Sequence, residues 1–139
     1  MLDALVVEDN PVNQMVMTKV LEQYRLRYLI TPSGDEALEI WRGSLTHIPL
    51  IFMDVEIEGT LDGLEVTREI RRLESERDHN RIEAGFPAGE RSYIAVMTGR
   101  ALDSDRLEAL ERGCDEFITK PVDLDGIRQI IQTRLPPRN

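Results

Sequence analysis

Short runs of apolar residues alternate along the chain with longer stretches in which apolar residues recur at helical spacing. The runs predict five β-strands: ALVV (4–7), RYLIT (27–31), PLIFM (49–53), YIAVM (93–97) and EFIT (116–119). Each predicted strand is followed by a predicted helix, which makes the pattern (βα)5. The continuous apolar strands indicate burial on both faces, as in a parallel sheet between two layers of helices.

The predicted helices begin and end at recognisable signals. Asn10 is an N-cap and Pro11 a first helical residue, so the first helix starts there and ends near Arg25. Its expected inward stripe consists of Val12, Met15, Val16, Val20 and Leu21. The other predicted helices cover 33–41, 63–74, about 104–112 before Gly113, and about 123–134 before Pro136. The polar segment 75–92 is predicted to be an irregular surface loop.

Composition narrows the possible function classes. The 139 residues suit a single domain with a core over 3–135, and 41% hydrophobic with 31% charged residues is typical of a globular protein. The net charge of −9 repels phosphate backbones, which argues against nucleic-acid binding. No apolar run approaches the roughly 20 residues of a membrane span, and the N-terminus lacks the basic region of a signal peptide. We therefore expect a cytoplasmic protein whose single cysteine, Cys114, is a small buried hydrophobic residue.

The pattern predicts an α/β fold of the flavodoxin-like, doubly wound class, with a five-stranded parallel sheet in the order 2-1-3-4-5. Ligands of such sheets bind at the carboxyl edge. The strands deliver polar residues to this edge: Glu8 and Asp9 after the first strand, Asp54 after the third, Thr98 after the fourth and Lys120 after the fifth. Each residue alone is a weak signal, but their joint placement at one edge is specific.

Three carboxylates in close contact need a cation to stay ionised together. Oxygen ligands without Cys or His suit Mg²⁺. The Lys120 ammonium suits a phosphoryl oxygen, and Thr98 offers a hydroxyl donor. Together these groups suit phosphoryl transfer, with Asp54 on the central strand as the nucleophile that forms an aspartyl phosphate.

Five segments resemble the receiver domain of bacterial two-component response regulators: LVVEDN, LIFMDVE, DGLEVTREIR, VMTG and FITKPVD. The resemblance spans residues 3–135, and VEDNPVNQ is most similar to receivers fused to hybrid histidine kinases. It implies that a histidine kinase or a histidine phosphotransfer protein phosphorylates Asp54. Such a domain catalyses its own phosphorylation and dephosphorylation but turns over no external substrate.

The resemblance also implies how the site binds its ligands. The implied Mg²⁺ ligands are the carboxylates of Glu8, Asp9 and Asp54 and the backbone carbonyl of Glu56. Thr98 and Lys120 would contact the phosphoryl group, and the Lys120–Pro121 bond would be cis.

Two further roles follow from the resemblance. Thr98 and Phe117 would be switch residues that alter the face built by the fourth helix, the fifth strand and the fifth helix, where a partner or a second copy would bind. Glu56 and Arg100 occupy the positions that tune hydrolysis. Their charges are opposite and their side chains are long enough to meet. A pair would cover Asp54 and slow the loss of its phosphoryl group, whereas the alternative is two solvated surface charges.

The loop after Asp54 departs from the family pattern. Ile57-Glu58 stands where the family usually has Met-Pro, and Gly63 lies nine positions after Asp54, one more than the common spacing. We therefore expect this loop to be more mobile or differently shaped. The segment 75–92 is also longer than usual.

Rival functions lack their required motifs. A haloacid dehalogenase-type hydrolase needs D-x-D-x-T after its first strand, and a nucleotide-binding fold needs a glycine-rich loop there. A Ser-His-Asp hydrolase fails because His47 and His79 lie in polar segments away from the carboxyl edge. The alternative that stays open is a degenerate receiver that acts only as a protein-interaction module.

Overall fold

Ten elements alternate strictly between strand and helix along the chain. The computed structural model describes residues 1–44, 46–57 and 59–137, so Glu58 of the predicted loop and the last two residues of the predicted domain lie outside the described residues. The strands are β1 (Ala4–Val7), β2 (Tyr28–Thr31), β3 (Leu50–Asp54), β4 (Tyr93–Thr98) and β5 (Glu116–Thr119). The helices are α1 (Pro11–Gln23), α2 (Gly34–Gly43), α3 (Gly63–Glu83), α4 (Asp103–Arg112) and α5 (Leu124–Arg134).

All five strands are parallel and lie in the order β2-β1-β3-β4-β5, so the predicted topology is confirmed. In the paired register Val7 lies beside Met53, and Asp54 lies beside Met97. The carboxyl ends of the strands therefore reach one edge together, which brings the residues that follow them into one crevice.

The core consists of two apolar layers, one on each face of the sheet. Val6 and Phe52 face the layer packed by α1 and α5. Val7 and Met53 face the opposite layer, packed by α2, α3 and α4. Since β1 and β3 are buried on both faces, their continuous apolar sequence is explained.

The predicted inward stripe of α1 is wrong in its first half. Val20 and Leu21 are buried, but Val12, Met15 and Val16 are 67%, 73% and 36% exposed. The inward face of the first turn lies over the polar edge of the sheet instead. There Gln14 donates through Nε2 to the carbonyl oxygen of Glu8 at 2.6 Å. The apolar residues in the first half of α1 therefore form an outward patch, which we call the α1 patch (Val12, Met15 and Val16).

Helix α3 extends nine residues beyond the predicted end at Glu74, into the segment expected to be a loop. Its added turns are polar apart from the exposed Ile82, and they are linked by Arg72–Glu76 and His79–Glu83 pairs at 3.0 and 3.3 Å. Pairs of this spacing stabilise a helix without an apolar stripe, which is why apolar periodicity missed it.

The turn between α4 and β5 follows the sequence prediction closely. Gly113 ends α4 with φ of +107°, a left-handed conformation that glycine adopts without strain. Cys114 is buried as expected, and burial raises the pKa of its thiol to about 11. This thiol therefore stays protonated and packs as a hydrophobic residue.

Among the described residues, no helix is long and apolar enough to cross a membrane.

Candidate functional site

The side chains predicted to form the site do converge at the carboxyl edge. Glu8 and Asp9 follow β1, and the last residue of β3 is Asp54. Carboxylate oxygens of these three residues lie within 4.8 Å of one another. Glu8 and Asp54 are almost fully buried, while Asp9 is half-buried at the mouth.

The side chain of Lys120 faces this cluster. The ammonium of Lys120 donates to Oδ2 of Asp54 at 2.8 Å and to Oε1 of Glu8 at 3.3 Å. Burial lowers the pKa of Lys120, but the hydrogen bonds and charges of the two carboxylates outweigh it and raise the pKa overall. Lys120 therefore remains a positive charge beside Asp54.

The one positive charge of Lys120 does not offset three carboxylates. Burial, followed by the hydrogen bond with Glu8, raises the pKa of Asp54 to about 7, although Lys120 acts in the opposite direction. Burial is the main cause of this shift and the Glu8 carboxylate adds to it, so a cation bound beside Asp54 would favour its ionised form. Oxygen-only ligands with excess negative charge fit a small divalent cation such as Mg²⁺.

The N-terminal end of α1 holds Glu8 in place. The backbone N–H of Asn10 donates to Oε2 of Glu8 at 3.2 Å, and Gln14 binds the Glu8 carbonyl as described above. Sequence reasoning did not identify Gln14 as a site residue. Its signal is its position one helical turn after the Asn10 cap, because helical side chains lean toward the N-terminus of their helix.

Glu56 connects the ends of β3 and β4. Its backbone N–H donates to Oδ1 of Asp54 at 3.1 Å. Its side-chain Oε1 accepts from the hydroxyl of Thr98 at 2.6 Å and from the backbone N–H of Gly99 at 3.1 Å. Thr98 Oγ1 in turn accepts from the N–H of Arg100 at 3.0 Å.

These contacts correct the expected pairing of Glu56 with Arg100. The guanidinium of Arg100 lies 3.7 Å from Asp105 at the start of α4, and Glu56 binds Thr98 and Gly99 instead. The carboxylate takes the two close donors at the end of β4 because an exposed ion pair offers little in competition. A role of Glu56 and Arg100 in the rate of hydrolysis stays a prediction.

The predicted switch residue Phe117 lies on β5, beside the strand that ends in Thr98. Its ring is partly buried on the core, and the guanidinium carbon of Arg106 lies 4.8 Å from the ring centroid. Thr98 and Phe117 both line a cavity of about 100 Å³ together with Ala109 of α4. A movement of Thr98 would therefore change the space available to the ring.

The loop after Asp54 is tightly closed at its far end. The N–H of Gly63 donates to the carbonyl of Val55 at 3.0 Å. A Cβ atom on Gly63 would overlap the carbonyl oxygen of Asp54, so glycine is needed for this close approach. The Lys120–Pro121 bond after β5 is cis, as the resemblance implies.

Comparison with known proteins agrees with this geometry. The profile of the "Response regulator receiver domain" family matches residues 4–132. The response regulator mcs4 of Schizosaccharomyces pombe is 36% identical, over 88% of this chain and 26% of mcs4. The hybrid signal transduction histidine kinase K of Dictyostelium discoideum is 33% identical, over 92% of this chain and 10% of the kinase. The chain thus spans about a quarter or less of these curated relatives.

Two solved structures show the same arrangement of the backbone. The receiver domain of Saccharomyces cerevisiae Ssk1, crystallised with the histidine phosphotransfer protein Ypd1, has a TM-score of 0.82 and 30% identity, covering 96% of this chain and 88% of that one. The receiver domain of the Pseudomonas aeruginosa sensor histidine kinase PA1611, with magnesium in its active-site cleft, has a TM-score of 0.73 and 29% identity, covering 96% of both chains.

Proposed function

Because the chain belongs to the response regulator receiver domain family, we propose that it is a cytoplasmic phosphoacceptor in a two-component phosphorelay, with Asp54 as the acceptor. The observation that supports Asp54 most directly is its position at the end of the central strand. There it accepts a hydrogen bond from Lys120 and lies beside two further acids, Glu8 and Asp9. The test is incorporation of one phosphoryl group from acetyl phosphate in the presence of Mg²⁺. A degenerate receiver that acts only as an interaction module would not incorporate it.

In the proposed reaction, a carboxylate oxygen of Asp54 attacks the phosphorus of a phosphohistidine. The new P–O bond forms as the P–N bond breaks. The electron pair of the P–N bond returns to the imidazole nitrogen of the donor. Lys120, already 2.8 Å from Asp54, is placed to neutralise a phosphoryl oxygen. Dephosphorylation is the attack of water on phosphorus, which breaks the P–O bond to Asp54 and releases inorganic phosphate.

The acid cluster is the proposed magnesium site of this receiver. Glu8, Asp9 and Asp54 would hold the ion, with the backbone carbonyl of Glu56 as the ligand implied by the family. When bound, Mg²⁺ supplies positive charge that offsets the negative charge of the phosphoryl group. The support from this chain is its oxygen-only donor set and the raised pKa of Asp54.

Replacing Asp9 with Ala is expected to weaken Mg²⁺ binding at least about tenfold, because a hard cation loses one of few charged oxygen ligands. Isothermal titration calorimetry with MgCl₂ measures the change. Asp103→Ala, which removes an exposed acid at the start of α4, is the matched control and should bind as wild type. Equal affinity in Asp9→Ala and wild type would show that the metal assignment is wrong.

The α1 patch is the proposed docking surface for a histidine phosphotransfer protein. Its three apolar side chains are exposed, and Gln14 in the same half of the helix contacts Glu8 at the edge of the site. A donor whose phosphohistidine reaches Asp54 must cover the α1 patch, so the patch can be buried against an apolar surface of the donor. The Ssk1 receiver crystallised with Ypd1 supports a partner of this class.

Met15→Glu is therefore expected to slow phosphotransfer from a histidine phosphotransfer protein by about tenfold or more, since it places a charge in the apolar patch. Phosphorylation by acetyl phosphate should be unchanged, because that donor needs no docking surface. Ile82→Glu, at a similarly exposed apolar position on the far end of α3 (61% against 73% for Met15), is the control. If both variants accept phosphoryl groups from the protein donor at the wild-type rate, the α1 patch is not the docking surface.

The proposed output is a change in the face built by α4, β5 and α5. Thr98 and Phe117 share one cavity, so a Thr98 hydroxyl drawn toward a phosphoryl group would let the ring move. The exposed side chains of Leu107 and Leu110 on α4 provide apolar contact area on this face. Homodimerisation through it stays a prediction.

A further inference from the structure

Two hydrogen-bond donors at the end of β4 converge on one carboxylate oxygen. The hydroxyl of Thr98 and the backbone N–H of Gly99 both donate to Oε1 of Glu56, at 2.6 and 3.1 Å. The Thr98 hydroxyl has a single proton, and its oxygen already accepts from the N–H of Arg100. This proton is therefore committed to Glu56.

These donors lie at the end of β4, the strand that pairs with β3 and so runs beside Asp54. Lys120 binds Oδ2 of Asp54, whereas Oδ1 accepts from the backbone N–H of Glu56. Asp54 pairs in register with Met97, so Thr98 is the next residue on the neighbouring strand. A phosphoryl group on Asp54 extends past the strand ends, where its oxygens need donors that a bare carboxylate does not reach.

We propose that the side chain of Glu56 is a tethered competitor of the phosphoryl group, an inference that rests on the proposed function. In the resting chain its carboxylate occupies the donors of Thr98 and Gly99 as a phosphoryl oxygen would. It has to leave when the phosphoryl group arrives, because both groups are anions and the Thr98 hydroxyl has one proton. The Glu56 residue is exposed, so water receives the displaced carboxylate.

The competition lowers the affinity of the receiver for a phosphoryl group or another anion at Asp54. Part of the binding free energy of a phosphoryl group or its mimic is used to break the two hydrogen bonds of Glu56. Removing the carboxylate should therefore strengthen anion binding, while the backbone carbonyl and N–H at position 56 remain in place. A simple loss of negative charge near the site would also strengthen binding, so the experiment has to separate the two causes.

The test is the affinity for beryllofluoride, a phosphoryl mimic, measured by calorimetry with saturating Mg²⁺. Glu56→Ala is expected to bind about three- to tenfold more tightly than wild type, the range expected from a net hydrogen bond. The affinity of Glu56→Gln should fall between those of Glu56→Ala and wild type, since an amide oxygen is a weaker hydrogen-bond acceptor than a carboxylate oxygen. Glu108→Ala removes an exposed acid on α4, on the same side of the molecule, and should match wild type.

A double-mutant cycle identifies the route of the effect. If Glu56 acts by occupying Thr98, Glu56→Ala should lose most of its effect in a Thr98→Ala background. An unchanged effect there, or equal binding by Glu56→Ala and wild type, would overturn the competition. Failure of the wild type itself to bind beryllofluoride would overturn the proposed function, and the competition with it. In the unliganded protein, Glu56→Ala should also shift the Gly99 amide proton resonance, which reports the hydrogen bond without any ligand.

Discussion

Asp54→Asn is expected to abolish incorporation of phosphoryl groups from acetyl phosphate and from a histidine phosphotransfer protein. The substitution keeps the shape of the side chain and an oxygen that can accept from the N–H of Glu56. It removes the negative charge and the nucleophilic oxygen that would form the acyl phosphate. Intact-protein mass spectrometry over a time course measures the result, with wild type gaining one phosphoryl group and Asp54→Asn gaining none.

The control for this loss is Asp103→Asn, which makes the same chemical change at an exposed position on α4. It should be phosphorylated like wild type. Continued phosphorylation of Asp54→Asn would place the acceptor elsewhere. A wild-type protein that is folded and binds Mg²⁺ but gains no phosphoryl group would favour the interaction-module alternative.

Arg71→Ala is expected to lower the free energy of unfolding by about 3–5 kcal/mol, the range for breaking a buried charged network. The Arg71 guanidinium donates to Glu74 and Asp115 at 2.7 and 2.6 Å. It also donates to the carbonyl oxygens of Ser92 and Gly113, both at 2.8 Å. Without it, the buried Glu74 carboxylate keeps the N–H of Ser92 as its remaining partner among the described residues, and both carbonyls lose this partner.

Urea unfolding followed by circular dichroism measures the loss, and Arg72→Ala is the matched control. The Arg72 side chain is 56% exposed against 12% for Arg71, and its ion pairs with described residues are those with Glu69 and Glu76 of its own helix. Exposed pairs contribute about 0–1 kcal/mol, so Arg72→Ala should stay within that range. Equal losses in the two variants would show that the network around Arg71 contributes no more than a surface pair.

This network also bears on the site, although it lies at the opposite edge of the sheet. Asp115 accepts both from Arg71 and from the N–H of Ile94, which ties the start of β5 to the start of β4. At the other edge, β4 ends in Thr98 and β5 is followed directly by Lys120. Arg71 therefore helps to align two residues that it does not touch.

Much of this architecture follows from local sequence. The strands β1 and β3 are continuous apolar runs, and such runs are buried wherever a two-layered sheet forms. The Asn10-Pro11 start and the Gly113 stop are backbone preferences that act within a few residues. The convergence of Glu8, Asp9 and Asp54 is also predictable, because parallel strands in a given order bring their ends to one edge.

Tertiary structure decided what depends on neighbours distant in sequence. Periodicity alone placed Met15 inward, but the first turn of α1 lies over the polar edge, so its inward position belongs to Gln14. The extension of α3 to Glu83 depends on ion pairs rather than on an apolar stripe. The partner of Glu56 was predicted from charge, and the structure shows Thr98 instead. A formal charge is visible in the sequence, whereas the two donors that outcompete it are positioned only when β3 and β4 lie side by side.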